Sequence, residues 1–193
     1  MAKSSHREKL LSEGLRVVHR QGYGGASVRD IVQAAGVPQG SFTNHFASKE
    51  AFGLEVLDLY FAKAQELIAA TLRNEELAPL QRLRVYVDAN IGFMKTHEMR
   101  NGCLLGNYSA EAATQGESIR LRLAAILDEV QQSIAACLKA AVKAGELPKG
   151  YKSNDVAGFI VSSLQGAFLI AKAQRDMAPM KRFRQILFTM ILK

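Results

Sequence analysis

Gln39, Ser41, Thr43, Asn44 and His45 crowd hydrogen-bond donors and acceptors into one short stretch of this 193-residue chain. Side chains of this kind suit nucleic acid. Gln and Asn can pair bidentately with adenine, and Ser and Thr can serve either base edges or phosphates. Phe42 and Phe46, four apart in the same stretch, would share one side of a helix and bury it, leaving the polar residues outward. Groups suited to catalysis are scarce. The chain has four His, three of them in residues 1–50, and no nucleophile-elbow, P-loop, dinucleotide-binding or zinc-ligand spacing. An enzyme is not expected, and neither is a cofactor or a bound metal.

A recognition surface needs rigid support, and the neighbouring residues supply it. Ser27 and Asp30 have the spacing of a capping box, which predicts a short helix from Val28. Val28, Ile31 and Val32 give that helix an inner face, and Gly36 lets the chain leave in a left-handed turn. Pro38 pre-sets the backbone for the next helix, near 39–45. Two short helices joined in this way form a helix-turn-helix, whose second helix enters the major groove.

The rest of the chain is expected to be helical throughout. Leu11, Leu15 and Val18 set an amphipathic stripe through residues 5–21, ending at Gly22. From Ser48 a long helix is predicted to about Arg73, with Phe52, Val56, Leu59 and Lys63 on one stripe and Leu57, Phe61 and Ala64 on another. Apolar residues on two faces mark a helix packed on two sides. Pro79 opens a further helix to about His97, and another is predicted at 103–113. Residues 117–144 carry a seam of Ile119, Leu123, Ile126, Val130, Ile134, Cys137 and Ala141, while residues 154–176 are rich in small side chains. A last helix lies near 180–191. The prediction is an all-α fold of about nine helices, with residues 1–47 as a three-helix DNA-binding domain. Residues 48–193 then form a second helical domain.

Composition narrows the partners. Hydrophobic residues make up 48% and charged residues 22%, as in soluble globular domains. No apolar run approaches the ~20 residues of a membrane span, and the N-terminus lacks a signal-peptide core. Cys103 and Cys137 make no metal or CxxC spacing, so a reduced cytoplasm is expected, without a membrane partner. Residues 1–50 hold seven Lys and Arg against four Asp and Glu, a balance that suits phosphate contact. Residues 172–193 hold six against one, which reads as a solvated helix end.

The ordered set Leu11, Leu15, Gly22, Tyr23, then S-V-R-D-I (27–31), A-G-V (35–37), G-S-F (40–42), H-F (45–46) and S-K-E-A (48–51) resembles the DNA-binding domain of the TetR family of bacterial transcriptional regulators. The chain departs from the family pattern at Thr43, where a Tyr that touches the DNA backbone is usual. The resemblance implies a homodimer on palindromic double-stranded DNA, most often as a repressor released by a small-molecule effector. It places Ser27 and Lys49 at positions that touch phosphate, with Arg29 a further candidate. It also implies a late helix pair from each subunit packed as a four-helix bundle, for which 117–144 and 154–176 are the matching pair; the bland alternative is that these helices only close the monomer core.

An apolar effector cavity under the helix at 48–73 is implied too, with Phe61, Tyr86, Asn90, Phe93, Met94, Asn107, Tyr108, Gln165, Phe168 and Lys172 as candidate lining. The segment N-G-C-L-L-G-N-x-x-A-E (101–111) is similar to one in a subgroup of these regulators, some of which respond to electrophiles or oxidants through a Cys at the place of Cys103. Cys103 follows Gly102 at a predicted helix start, where unpaired N–H groups stabilise a thiolate, and Lys172 is a candidate companion. Set against this is a buried, inert Cys103; Cys137, on an apolar seam, reads as structural. A helical adapter whose helix-turn-helix contacts protein is the remaining rival.

Overall fold

The computed structural model describes residues 5–96 and 98–193. Among these the chain is helical without a strand. The elements are α1 (His6–Gln21), α2 (Val28–Ala35), α3 (Gly40–His45), α4 (Lys49–Ala70), α5 (Pro79–Thr96), α6 (Leu104–Ala110), α7 (Glu117–Lys143), α8 (Ser153–Gln174) and α9 (Ala178–Ile186). A π-helical turn, Leu187–Ile191, closes the chain. The expected end of α5 at His97 lies outside the described residues.

The helix starts follow local chemistry. Ser5 caps α1 and Ser27 caps α2, and each donates its own backbone N–H to the carboxylate three residues on, Glu8 and Asp30. Gly36 ends α2 with φ 61°, ψ 38°, the left-handed geometry a glycine adopts without steric cost.

The helices fall into two compact units, Met1–Lys63 with Leu104–Ala125, and Ala64–Cys103 with Ile126–Lys193. Neither unit ends at residue 47. The first two thirds of α4, all of α6 and the start of α7 group with the N-terminal helices. In the first unit Leu10, Val18, Ile31, Phe42, Phe52 and Val56 form the core, and α1 lies so close to α4 that a Cβ on Gly14 would strike the Phe52 ring. Phe52 and Val56 are buried alongside Leu57 and Phe61, so α4 is packed on two faces.

The second unit buries Leu83, Val87 and Met94 of α5 with Ile126, Ile134 and Leu138 of α7 and Ile160 and Leu164 of α8. Arg184 of α9 pairs with Asp88 of α5, and Arg84 lies over the Phe188 ring at 4.2 Å. By length and composition α8 is apolar enough to cross a membrane. Its Ala157, Ile160, Leu164 and Ala171 are nevertheless core residues of the second unit.

Candidate functional site

The α2–turn–α3 segment is mounted on an aromatic cluster. Phe42 lies 5.3 Å from Phe46 and 5.2 Å from Phe52, and Phe46 meets Phe52 edge-on at 5.0 Å. Aromatic pairs at this separation add to burial, and three together fix the roll of a helix of only six residues. Gln39, Thr43, Asn44 and His45 are exposed on the opposite side. Thr43 donates its hydroxyl to the Gly40 carbonyl at 3.1 Å.

Ser41 departs from the expected outward placement. It is only 8% exposed and its hydroxyl shares a 3.1 Å hydrogen bond with His6 Nδ1 at the start of α1. Ser27 and Arg29 stand exposed at the start of α2. The Ser27 hydroxyl and its backbone N–H both donate to Asp30, holding that carboxyl below the usual carboxylate range. Lys49 is half-buried rather than free. Its ammonium donates to the Gly24 carbonyl at 3.3 Å and lies 4.7 Å from the Tyr23 ring centre.

The effector candidates divide between the units. In the first, Phe61 is buried beneath the Arg122 guanidinium, 5.8 Å away, and Asn107 is half-buried. Tyr108 is buried too, and its ring and hydroxyl are used inside that unit. The ring lies 5.5 Å from Tyr23, the hydroxyl donates to the Gly53 carbonyl at 3.3 Å, and burial raises its pKa well above the ordinary phenol value.

In the second unit Met94 and Phe168 are core, while Phe93 and Lys172 are half-buried. Three polar candidates come together around Tyr86. Asn90 donates to the Tyr86 carbonyl at 2.9 Å, and burial, followed by the influence of Cys103, pushes the Tyr86 phenol up to about 12. Cys103 is half-buried and accepts a bond from Gln165 Nε2 at 3.4 Å. The other amide atom of Gln165, Oε1, is buried without a hydrogen-bond partner among the described residues. Cys137 is different: its thiol is buried, donates to the Pro79 carbonyl at 3.2 Å and is pushed up to about 11 by burial. No cluster of three or more metal-ligating side chains occurs among the described residues.

The helix pair expected to form an intersubunit bundle behaves unevenly. Every apolar seam residue of α7 from Ile119 to Ala141 is buried within the chain. The large exposed apolar side chains are instead Phe159, Leu169 and Ile170 of α8, Ile186 of α9 and Met190 of the π turn, 39% to 68% exposed, with Leu121 apart from them. A groove of about 280 Å³ runs along this face, lined by Phe159, Gly166, Ile170, Phe183 and Ile186. The signal missed in the sequence is α9 itself: Phe183 and Leu187 repeat at one helical spacing inward, Ile186 and Met190 at another outward.

Comparison with known proteins agrees with this arrangement. Residues 10–56 match the bacterial regulatory proteins of the tetR family, and residues 79–187 match the tetracyclin repressor-like C-terminal domain. Over 192 residues the chain is 34% identical to the HTH-type transcriptional repressor DhaR of Mycobacterium sp. (strain GP1), covering 100% of this chain and 95% of that protein. The crystal structure of a regulatory protein TetR from Rhodobacter sphaeroides is similar at a TM-score of 0.90, with 30% identity, over 94% of this chain and 96% of that one. The reduced form of E. coli NemR is similar at a TM-score of 0.86, with 26% identity over 93% of each chain.

Proposed function

Because the chain belongs to the TetR family of bacterial regulatory proteins, we propose that it works as a homodimeric repressor, holding a palindromic operator until a small molecule releases it. It is a DNA-binding transcription regulator and not an enzyme. One observation carries the proposal: an exposed polar side on α3, locked from behind by Phe42, Phe46 and Phe52. In this reading Gln39, Thr43 and Asn44 meet base edges, while Ser27, Arg29 and His45 meet phosphates. Lys49 reaches phosphate only after leaving Gly24, and Ser41 orients α3 from within. Residues 1–47 supply DNA contact; residues 48–193 supply the effector site and the dimer.

The apolar face of α8 and α9 suits the dimer, since one small helix-turn-helix binds too weakly alone and two half-sites one helical turn apart are the usual remedy. The effector meets a chiefly apolar lining in the second unit with Asn90 and Gln165 as its polar members. Coupling of ~2–3 kcal/mol between effector and operator would make a useful switch. A cytoplasmic location accompanies this role.

A second reading makes Cys103 the sensing group. What supports it is the half-buried position of its sulfur and the bond that Gln165 Nε2 donates to it. The DhaR and NemR relatives are named repressors, and NemR has been crystallised in a reduced form.

The test is binding of the purified protein to its own upstream DNA over a salt series, for wild type and Cys103→Ser, with and without N-ethylmaleimide. Steep salt dependence on a palindrome supports the regulator, and release in wild type only supports the thiol sensor. Salt-insensitive or absent binding on every candidate duplex would overturn the DNA reading.

A further inference from the structure

The segment 101–111 ends on Glu111, a residue that neither the DNA reading nor the effector reading uses. Its carboxylate sits inside the loop between α1 and α2. The Gly24 N–H donates to Oε2 at 2.6 Å. Oε1 lies against Gly22, whose φ is 83° and where a Cβ would strike the carboxylate; a Cβ on Gly24 would come within 3.2 Å of Oε2. Two glycines thus leave the loop open on the side from which the carboxylate enters.

Neighbouring contacts converge on the same loop. Tyr23, between those glycines, packs on Tyr108, one turn before Glu111. The Gly24 carbonyl accepts from Lys49. The two polar groups of the Gly24 peptide are therefore held by side chains of opposite charge, one from beyond α6 and one from α4. Charge-assisted bonds of this kind are about twice as strong as neutral ones.

We infer that Glu111 is the positioning residue of the DNA-binding helices: its carboxylate, seated in the Gly22–Gly24 loop, fixes that loop, and α2 and α3 after it, to α6. The inference rests on the dimeric DNA-binding reading. A head free to pivot accepts operators with several half-site separations, whereas a latched head accepts one. The latch therefore acts on the spacing of two half-sites and leaves the affinity for one half-site alone. α6 spans seven residues, about 10 Å of rise, so any shift of α6 is delivered at Glu111 to the loop that feeds the helix-turn-helix.

The experiment uses full-length wild type, Glu111→Gln and Glu111→Ala, with an operator selected by the wild type from random-sequence DNA. Its half-sites are then moved together or apart by one or two base pairs, and a single half-site duplex is measured alongside. Wild type is expected to prefer one spacing by about tenfold or more, within the range of ordinary coupling energies. Glu111→Gln, which keeps an acceptor for Gly24, retains part of that preference. Glu111→Ala flattens it to within about threefold while binding the single half-site as wild type does.

A Glu111→Ala protein that keeps the full preference overturns the inference, as does one that weakens uniformly on every duplex, including the single half-site. If Glu111→Ala fails to fold, Gly24→Ala crowds Oε2 without altering Glu111, and the same two outcomes apply to it. Wild type with no spacing preference at all overturns the dimeric reading, and the inference with it.

Discussion

Removing apolar surface from the exposed face of α8 should split the dimer in steps whose size follows from burial. Fully burying a Phe or Ile side chain is worth ~1.5–3 kcal/mol. Phe159 is 50% exposed and Ile170 48%. About half of the full value, ~1 kcal/mol per side chain, is thus still to be gained on association. Two-fold symmetry counts each residue twice, so Phe159→Ala should weaken the dimer by ~2 kcal/mol, or ~30-fold in Kd.

Phe159 and Ile170 are eleven residues apart on one helix, about 16 Å of rise, beyond the range at which substitutions usually couple. The double variant should therefore lose ~4 kcal/mol, ~10³-fold in Kd. Sedimentation velocity over a dilution series reads this directly. Operator affinity should fall in parallel, and the monomer should keep its helical signal, because neither side chain belongs to the core. A double variant with unchanged mass at every dilution would refute the assignment of this face to a second copy of the chain.

Three further outcomes are expected. Asn44→Ala should cost ~1–3 kcal/mol on the operator and relax preference at one base pair, whereas Ser41→Ala should lower stability by ~1 kcal/mol with sequence preference intact; a changed preference in Ser41→Ala would refute its inward role. Asp30 has a folded pKa below its ordinary 3.8, so its contribution is complete above that value and fades as pH falls through the lower folded one. The Tm gap between wild type and Asp30→Ala should accordingly close in strong acid, and a gap constant down to pH 2 would count against the Ser27 bonds. Ellman's reagent should find one reactive thiol, Cys103, in the native protein and a second, Cys137, only in denaturant; two thiols reacting together would remove the distinction between them.

The helix-turn-helix was legible because its signals are local. A capping box three residues long, a glycine at the turn and two phenylalanines four apart all act within one or two helical turns. The inward turn of Ser41 was hidden because its partner, His6, lies 35 residues away in the chain. The share of α7 in a dimer was not legible for a related reason. An apolar seam at helical spacing says that a face is buried, but not whether the chain or a second copy buries it. Glu111 stands in sequence only as the end of the 101–111 segment, and only the folded loop shows that two glycines 87 and 89 positions earlier receive its carboxylate.

The division into units has a bearing on how the protein is made. The chain passes between them at residues 63/64, 103/104 and 125/126, so the first unit is assembled from two separated segments. Domains generally fold as units during synthesis. The helix-turn-helix leaves the ribosome early, yet its unit has no complete core until Ile119 and Leu123 have followed. By then the whole of the second unit's N-terminal segment is already out. A nascent chain stalled before residue 104 should therefore be protease-sensitive in its first sixty residues, and one stalled well beyond 125 should not. The same interruption means that a fragment ending at residue 63 is no shortcut to an isolated DNA-binding module, because it leaves out Tyr108 and Glu111, which hold the loop ahead of α2.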